Sequence, residues 1–214
     1  EGVQEFCIRK ETNSGDWTLA KDNISSTSRS FTLTNSHTKL VPGRDYKFTV
    51  VAVYAAEPKE STDEASVTMP QATGPRNLAA PDNLLKREQL TVTWDAPDPA
   101  WDVNGYRADL YRTNDTSPWK SVNTGTTRSV NFTGLEIETS YRVVVVARNP
   151  DLDSLEVASA PLSVRTKPRE APVSVTATAN GPTSVTVSWS HDGEGVQEFR
   201  IRKETNSGDW TLAK

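Results

Sequence analysis

The sequence has few of the side chains that carry redox, metal and proton-transfer chemistry. Its 214 residues include one cysteine, Cys7, and two histidines, His37 and His191. A single cysteine excludes an internal disulfide framework and a zinc site with several cysteine ligands. Two histidines offer little basis for a metal site or a proton shuttle. Since nothing resembles a phosphate-binding loop or a nucleophile elbow, we predict no catalytic residue, no metal and no cofactor, and we do not expect an enzyme.

Long apolar runs and an excess of positive charge are also missing. The mean hydropathy is -0.59, and no apolar run approaches the roughly 20 residues of a membrane-spanning helix. The formal net charge is -4, which gives no electrostatic basis for binding nucleic acid. No apolar leader follows Glu1, so we expect a mature or internal segment. We therefore predict neither nucleic acid nor the membrane interior as a partner of this segment.

Strand-forming residues are abundant. The sequence has 26 threonines and 21 valines against one methionine, and this balance favours β-strands. Apolar and polar residues alternate in short runs separated by turn-forming pairs, and no window shows a sustained helical period. The all-β fold class is predicted from these runs: Phe6–Ile8, Phe31–Leu33, Tyr46–Ala52, Leu90–Trp94, Tyr106–Tyr111, Val130–Phe132, Tyr141–Ala147 and Ser184–Trp189.

One segment of the chain is written twice. Residues 1–21 recur as residues 194–214, and the two copies differ only where Cys7 stands opposite Arg200. The offset of 193 residues corresponds to two units of the size of a small β-sandwich domain. It indicates a periodic parent chain or an engineered one. We therefore predict a middle segment, residues 71–167, that is one complete unit, and two partial units: an N-terminal segment, residues 1–70, and a C-terminal segment, residues 168–214.

Two recurring motifs point to a known family. Trp94 and Trp189 occupy the predicted second strand of successive units. A Leu-x-Pro-x-x-x-Tyr motif runs from Leu40 to Tyr46, and its counterpart runs from Leu135 to Tyr141 with Ile137 in place of the proline. With these motifs at this spacing, the chain resembles tandem fibronectin type III domains along essentially its whole length. The resemblance implies immunoglobulin-like β-sandwiches, with strands C to G in the N-terminal segment and strands A to C′ in the C-terminal segment.

The resemblance also implies a function. It suggests a non-enzymatic structural or adhesive segment of a long extracellular or cell-surface protein, acting as a spacer, stalk or filament subunit. Near-identity at a two-unit period suits such a role because function then depends on length and multivalency. Two alternatives stay open: a protein-binding module of a receptor ectodomain, and spacer domains of a secreted polysaccharide-degrading enzyme. The protein or matrix ligand is not identified by the sequence.

Loop carboxylates are the densest polar feature of the middle segment. Isolated loop carboxylates are ordinarily solvated, and these lack the glycine turn and ligand density of an EF-hand. Three of these carboxylates precede the predicted third strand and three precede the last strand. In the fold that the resemblance implies, the two loops that carry them lie at the end of the domain where its first strand enters. We therefore favour an electrostatic interface with the preceding domain over a calcium site for these six residues: Asp95, Asp98, Asp102, Asp151, Asp153 and Glu156.

Several residues are candidates for modification or lateral contact. Asn23, Asn114 and Asn131 begin Asn-x-Ser/Thr sequons, with Asn131 predicted to point outward and the other two to lie in loops. Cys7 is expected to face solvent, where it is a candidate intermolecular thiol, an engineered handle or a simple divergence between repeats. Three tryptophans on the predicted C′ strands either pack at the sheet edge or form a surface for lateral self-association: Trp17, Trp119 and Trp210.

The two partial units are predicted to complete each other between molecules. Neither can bury its sheet faces alone, because a sandwich needs both layers. Residues 168–214 and 22–71 together have 97 residues, as many as residues 71–167. The partners we predict are therefore other copies of this chain, joined head to tail in an open assembly. The duplicated strand pair reflects either where a continuous array is cut, which we favour, or an overlap in which one pair is displaced.

Overall fold

All regular structure in the computed structural model is β-strand. The structure describes residues 2–213, and within that range there is no α-helix. The predicted all-β fold class is confirmed. The strands, in chain order, are β1 (Glu5–Glu11), β2 (Trp17–Ser25), β3 (Asp45–Val53), β4 (Lys59–Glu60), β5 (Ala65–Thr68), β6 (Arg76–Ala79), β7 (Gln89–Asp95), β8 (Gly105–Arg112), β9 (Lys120–Gly125), β10 (Ser129–Thr133), β11 (Ser140–Asn149), β12 (Leu155–Ala158), β13 (Leu162–Arg165), β14 (Val173–Gly181), β15 (Ser184–Ser190), β16 (Arg202–Glu204) and β17 (Trp210–Leu212).

By its internal contacts the chain divides into two compact units. The first contains the residues up to Ala80 together with Val92–Val130 and Tyr141–Val164. The second contains Pro81–Thr91, Asn131–Ser140 and the residues from Arg165 onward.

The N-terminal segment forms one antiparallel sheet in the order β2-β1-β3-β4, with β5 also paired to β3. In this sheet β1 lies between two partners: Phe6 stands opposite Ile24 on β2 and opposite Ala52 on β3. Since side chains alternate across a strand, Phe6 and Ile8 share one face of this sheet. That face is the apolar one.

The middle segment has two sheets, β10-β7-β6 and β12-β11-β8-β9, with β13 also paired to β11. The rings of Trp94 on β7 and Tyr106 on β8 meet edge to face with centroids 5.7 Å apart, so the two sheets face each other as in an immunoglobulin-like sandwich. Leu78 and Val164 are half-buried because they lie on short edge strands. Most other apolar residues of the two sheets are buried, among them Leu90, Val92, Trp94, Tyr106, Ala108, Leu110, Val130, Phe132, Leu135, Tyr141, Val143 and Val145.

The C-terminal segment contains two separate strand pairs, β14-β15 and β16-β17. Val187 on β15 stands opposite Ala177 on β14. The pair formed by β16 and β17 is only three residues long and begins at Arg202, after Phe199 and Ile201. Four strands are thus present in this segment, but they make no larger sheet.

Three local predictions are wrong. No strand forms at Phe31–Leu33. Its counterpart in the middle segment, β10, pairs with β7, whereas no strand of residues 2–213 pairs with Phe31–Leu33. Asn23 was expected in a loop but lies on β2, and Trp119 lies one residue before β9. Asn23 has a φ of 50°, a backbone conformation that asparagine tolerates better than most residues and that a strand pattern does not reveal.

Candidate functional site

Lys39 and Arg44 of the N-terminal segment form ion pairs with Asp153, in an acidic loop of the middle segment. The carboxylate of Asp153 accepts a short hydrogen bond from the Lys39 amine and lies 2.6 Å from Nη2 of Arg44. The hydrogen bond from Lys39 is the first cause that holds the pKa of Asp153 below its ordinary value, and the charges of Arg44 and Lys39 act in the same direction. Lys39 and Arg44 lie on either side of the turn at Pro42–Gly43. This arrangement is the kind of electrostatic interface that the sequence favoured.

Asp102 contributes to the same interface through amides. The side-chain amide of Asn35 donates to the Asp102 carboxylate, and Oδ1 of Asn35 accepts a 2.7 Å hydrogen bond from the Leu40 amide. From β11, the amide of Asn149 donates to the Asp102 carbonyl at 2.5 Å. Asn35 therefore ties the Leu40 turn to the loop that carries Asp102.

The other predicted acids have separate partners. Asp98 pairs with Arg76 at 2.7 Å, Glu156 pairs with Arg107 at 3.1 Å, and Asp95 accepts from the Asn77 amide at 2.8 Å. The backbone amide of Asp151 donates to Oδ1 of Asn149. Over residues 2–213, no three His, Cys, Asp or Glu side chains are grouped so that they could hold a metal ion. The carboxylates thus face their own cations or amides instead of converging.

Arg87 is a functional candidate that sequence reasoning missed. Its side chain is only 5% exposed, and its guanidinium contacts both carboxylate oxygens of Asp192, at 3.0 and 3.1 Å. Nε of Arg87 donates to the Pro168 carbonyl at 2.9 Å, and Nη1 donates to the Glu194 carbonyl. The backbone amide of Glu194 first, and Arg87 next, lower the pKa of Asp192. A lone arginine in a polar loop gives no signal in the sequence, because its partners lie more than 80 residues away.

Hydrogen bonds hold the turn of each tyrosine motif. The hydroxyl of Tyr46 accepts a 2.7 Å hydrogen bond from the Val41 amide, which fixes the turn before β3. Leu40 is buried, as are Leu135 and Tyr141 in the middle segment. There the hydroxyl of Thr166 donates to the Glu136 carbonyl at 2.6 Å and accepts from the Thr139 amide at 2.9 Å. Thr166 thus ties down the turn in which Ile137 replaces the motif's proline.

Trp119 packs within the middle segment. Its ring stacks on Tyr141 with centroids 5.9 Å apart. The Arg112 guanidinium and the Lys120 amine lie 4.1 and 4.5 Å from the Trp119 centroid. Such cation–π contacts favour the edge-packing interpretation for this tryptophan. Trp210, by contrast, is 63% exposed.

The sequon asparagines are all exposed, and Cys7 is not fully so. Asn23, Asn114 and Asn131 each present their side chains to solvent, and Asn131 lies on β10 between two buried residues. Cys7 is half-buried because β1 is covered on both edges by β2 and β3. Burial first, then the charges of Glu5 and Asp22, raises the pKa of the Cys7 thiol. Its side chain lies on the face of the sheet opposite Phe6 and Ile8, where it is partly covered by its neighbours.

A wide apolar groove lies in the C-terminal segment. It measures about 870 Å³, and polar residues such as His191 and Glu198 stand at its rim. Its apolar lining includes Val175, Ala177, Val187, Trp189, Phe199 and Ile201. A second apolar groove of about 190 Å³ lies on the sheet of the N-terminal segment and is lined by Phe6, Ile8, Ile24, Phe31 and Val50. Each of these two segments thus carries a groove with an apolar lining.

Comparison with known proteins gives one family match. Residues 73–165 match the family model described as the fibronectin type III domain. The collagen alpha-1(XII) chain of Oryctolagus cuniculus is 26% identical over 211 residues, which are 97% of this chain and 30% of that protein. This chain therefore spans less than a third of the length of the curated relative it matches.

Two solved structures have partial similarity. A two-domain fibronectin type III segment from chicken tenascin is 19% identical, with a TM-score of 0.42 over 78% of this chain and 86% of that one. The FN5 domain of Drosophila Lar is 21% identical, with a TM-score of 0.36 over 46% of this chain and 99% of that one. Within residues 2–213 there is no helix of the length and apolarity needed to cross a bilayer. The family match itself runs from β6 to β13, the two sheets that Trp94 and Tyr106 join.

Proposed function

We propose, from the premise that residues 73–165 form a fibronectin type III domain, that this chain is a non-enzymatic structural segment of a long repetitive extracellular or cell-surface protein. Its finer role is that of a spacer, adhesive stalk or filament subunit, joined to further copies head to tail. The three segments 1–70, 71–167 and 168–214 are then one complete domain between two partial ones.

The duplication of residues 1–21 as residues 194–214 carries this proposal. A binder of one defined ligand gains from loops that differ between units, whereas a stalk gains from repeating the same unit. Twenty of 21 positions are identical at a separation of 193 residues. Repetition at that fidelity favours a role in length and multivalency.

The contacts of Asp153 support the stalk over a receptor module. Loops at the ends of such sandwiches are where ligands are ordinarily recognised. Here the Asp153 and Asp102 loops are occupied by Lys39, Arg44 and Asn35 of the same chain. A loop that is engaged along the chain is not free to select a ligand, so it favours a joint between neighbours.

The linker at Gly74 supports a semi-rigid connection. A Cβ atom at this position would overlap the backbone carbonyl of Ala158, so the linker lies directly against the end of β12. Pro75 follows, and proline limits the backbone further. Short, packed linkers suit an extended array whose units keep their spacing.

The proposed extracellular or cell-surface location can be tested on the native protein. Antibodies against residues 71–167 should stain intact, unpermeabilised cells or their matrix, and electron micrographs of the native material should show extended threads. Staining that appears only after permeabilisation would contradict the extracellular setting. Compact particles without extended threads would contradict the stalk.

A further inference from the structure

We propose that the end of the middle segment is selective: it fits the start of the other kind of domain in the proposed array and does not fit the start of its own kind. On that array, residues 1–70 and 168–214 are parts of one kind of domain, and residues 71–167 are the second kind. The selecting residue is Arg87, through its contact with the loop at Asp192. The inference rests on the proposed function and deepens it, because it gives a physical reason for a two-domain repeat.

The loop that carries Arg87 is held by its own segment. The carbonyl of Glu88 accepts a 3.0 Å hydrogen bond from the Leu135 amide. The carbonyl of Lys86 accepts one of 3.2 Å from the Lys167 amide. The backbone is thus fixed on both sides of Arg87, which sets the point where its guanidinium leaves the segment. Because a guanidinium presents its donors as a rigid planar fork, it pairs well only with acceptors at matching positions.

The loop that receives Arg87 is held as well. Oδ1 of Asp192 accepts a 3.0 Å hydrogen bond from the backbone amide of Glu194, and Nε2 of His191 lies 3.1 Å from the Glu170 carbonyl of the linker. Arg87 reaches both carboxylate oxygens of Asp192 while its own side chain stays only 5% exposed. A charge that is this well covered is costly to leave without its counter-charge. This joint, meaning the contact between one domain and the next, therefore depends on a carboxylate at the position of Asp192.

The middle segment carries no carboxylate at the equivalent positions of its own loop after β7. The tryptophans of β7 and β15 are 95 residues apart, and at that offset Pro97 and Pro99 stand where Asp192 and Glu194 do. A proline side chain has neither a charge nor a hydrogen-bonding group. If a second middle domain followed the first, Arg87 would therefore meet prolines in place of carboxylates.

The acids that do occur in the loop after β7 already have partners. Asp98 pairs with Arg76 at 2.7 Å, and Asp95 accepts a 2.8 Å hydrogen bond from the side-chain amide of Asn77. To bind the guanidinium of a preceding domain, either carboxylate would have to give up its contact with β6. Neither carboxylate is thus a ready substitute for the one that the other kind of domain provides.

The same mismatch would leave Asp153 without its cations. The tyrosines of β3 and β11 are also 95 residues apart, and at that offset Gly134 and Thr139 stand where Lys39 and Arg44 do. A middle domain that followed another would thus lose the two cations that pair with its Asp153. Specificity is a difference in free energy between the right and the wrong neighbour. Here the contacts on both sides of the joint disfavour the wrong one.

The first test measures how well the linker at residues 168–172 is protected in the full chain, by limited digestion with a protease of broad specificity and mass spectrometry of the cuts. Arg87→Gln should speed cleavage there at least ten-fold, because the linker and the loop after β15 lose their anchor. Asp192→Asn should also speed it, from the other side of the contact, and it leaves the middle segment untouched. The double variant should be cut no faster than the faster single variant, since both changes remove one contact.

The matched control for the first test is Arg165→Gln. Arg165 is another arginine of the middle segment, with a side chain that is 61% exposed and pairs with Glu138 of the same segment. This variant should be cut like the parent chain, and cleavage as fast as in Arg87→Gln would overturn the proposal. If Arg87→Gln also opens the middle segment to cleavage, Asp192→Asn decides the result. A linker that stays as protected in Asp192→Asn as in the parent chain would overturn the proposal as well.

The second test is a chain in which residues 71–167 occur twice in succession. It keeps both natural joints, which serve as internal controls, and adds one joint between two middle domains. We expect the linker of the added joint to be cut at least ten-fold faster than either natural linker. Equal protection of all three linkers would contradict the proposal, because either kind of domain could then follow the middle one.

The outcomes separate this inference from the proposed function. Three equally protected linkers in a protein whose native form makes extended extracellular threads would sink the inference and leave the proposed function standing. A selective joint in a protein found only inside cells would do the reverse.

Discussion

Trp94 and Trp189 have the same place in the sequence pattern and different surroundings in the fold. Trp94 is 4% exposed and contacts Tyr106 of the facing sheet. Trp189 is 36% exposed, and its ring contact is with Phe199, only ten residues along the chain. A tryptophan's contribution to stability depends on the layer opposite it, and only Trp94 has that layer in full.

This difference predicts unequal effects of the same substitution. Trp94→Ala should lower the free energy of unfolding by about 3–5 kcal/mol, the range for deleting a buried aromatic side chain. Trp189→Ala, the matched control, should cost clearly less because its ring is already partly solvated. Denaturant midpoints of the dilute chain measure both. Equal losses for the two variants would show that the assigned core is wrong.

The pair between Asp153 and the cations Lys39 and Arg44 predicts a dependence on acid. The pKa of Asp153 is lower in the folded chain than in the unfolded one, chiefly because Lys39 donates a hydrogen bond to its charged form. Its contribution to stability is therefore complete above the ordinary carboxyl pKa of about 3.9 and is lost as pH falls through the lowered value. Asp153→Asn should flatten the fall in thermal midpoint below about pH 4.

The control for this effect is Asp82→Asn, which removes the same charge at an exposed loop position. It should leave the acid dependence as steep as in the parent chain. Thermal midpoints by circular dichroism at each pH give the comparison. If Asp82→Asn flattened the curve as much as Asp153→Asn, the effect would be one of net charge and not of the Asp153 contact.

At the scale of elements, strands were predictable from alternation and their partners were not. Tyr106–Tyr111 largely alternates apolar and polar residues, Tyr141–Ala147 is a mostly apolar run rich in valine, and both form the strands expected of them. Phe31–Leu33 alternates equally well but stays irregular, because a strand also needs a hydrogen-bonded neighbour. The same limit applies to Arg87, since its partner Asp192 is set by the fold and leaves no local pattern.

The duplicated segment permits a test of this limit within one molecule. Backbone amides of β1 should exchange with deuterium at least ten-fold more slowly than those of residues 198–204, because β1 has a hydrogen-bonded strand on both edges. Mass spectrometry separates the two peptides, since one contains Cys7 and the other Arg200. The measurement belongs at low concentration, where copies do not associate. Equal exchange would mean that strand formation here follows local sequence alone.

At the scale of the whole molecule, the loop carboxylates form ion pairs with lysine and arginine side chains, and this bears on calcium binding. Asp153, Asp98 and Glu156 each pair with cations of this chain. A calcium ion would have to displace those cations and draw at least six oxygens together. We expect millimolar calcium to leave the thermal midpoint unchanged, with magnesium as the control for ionic strength. A rise of many degrees with calcium alone would make Asp151 and Asp153 ligands.

The pairing of β1 with β3 sets the order of events during synthesis. Both strands are synthesised before residue 60. The duplicate of β1 is synthesised about 140 residues later, which takes roughly 7–30 s at ordinary elongation rates. Antiparallel strands pair within microseconds. The early copy of the segment therefore pairs with β3 before its duplicate has been made. When residues 194–214 are made, β3 already has its hydrogen-bonded partner within the same chain.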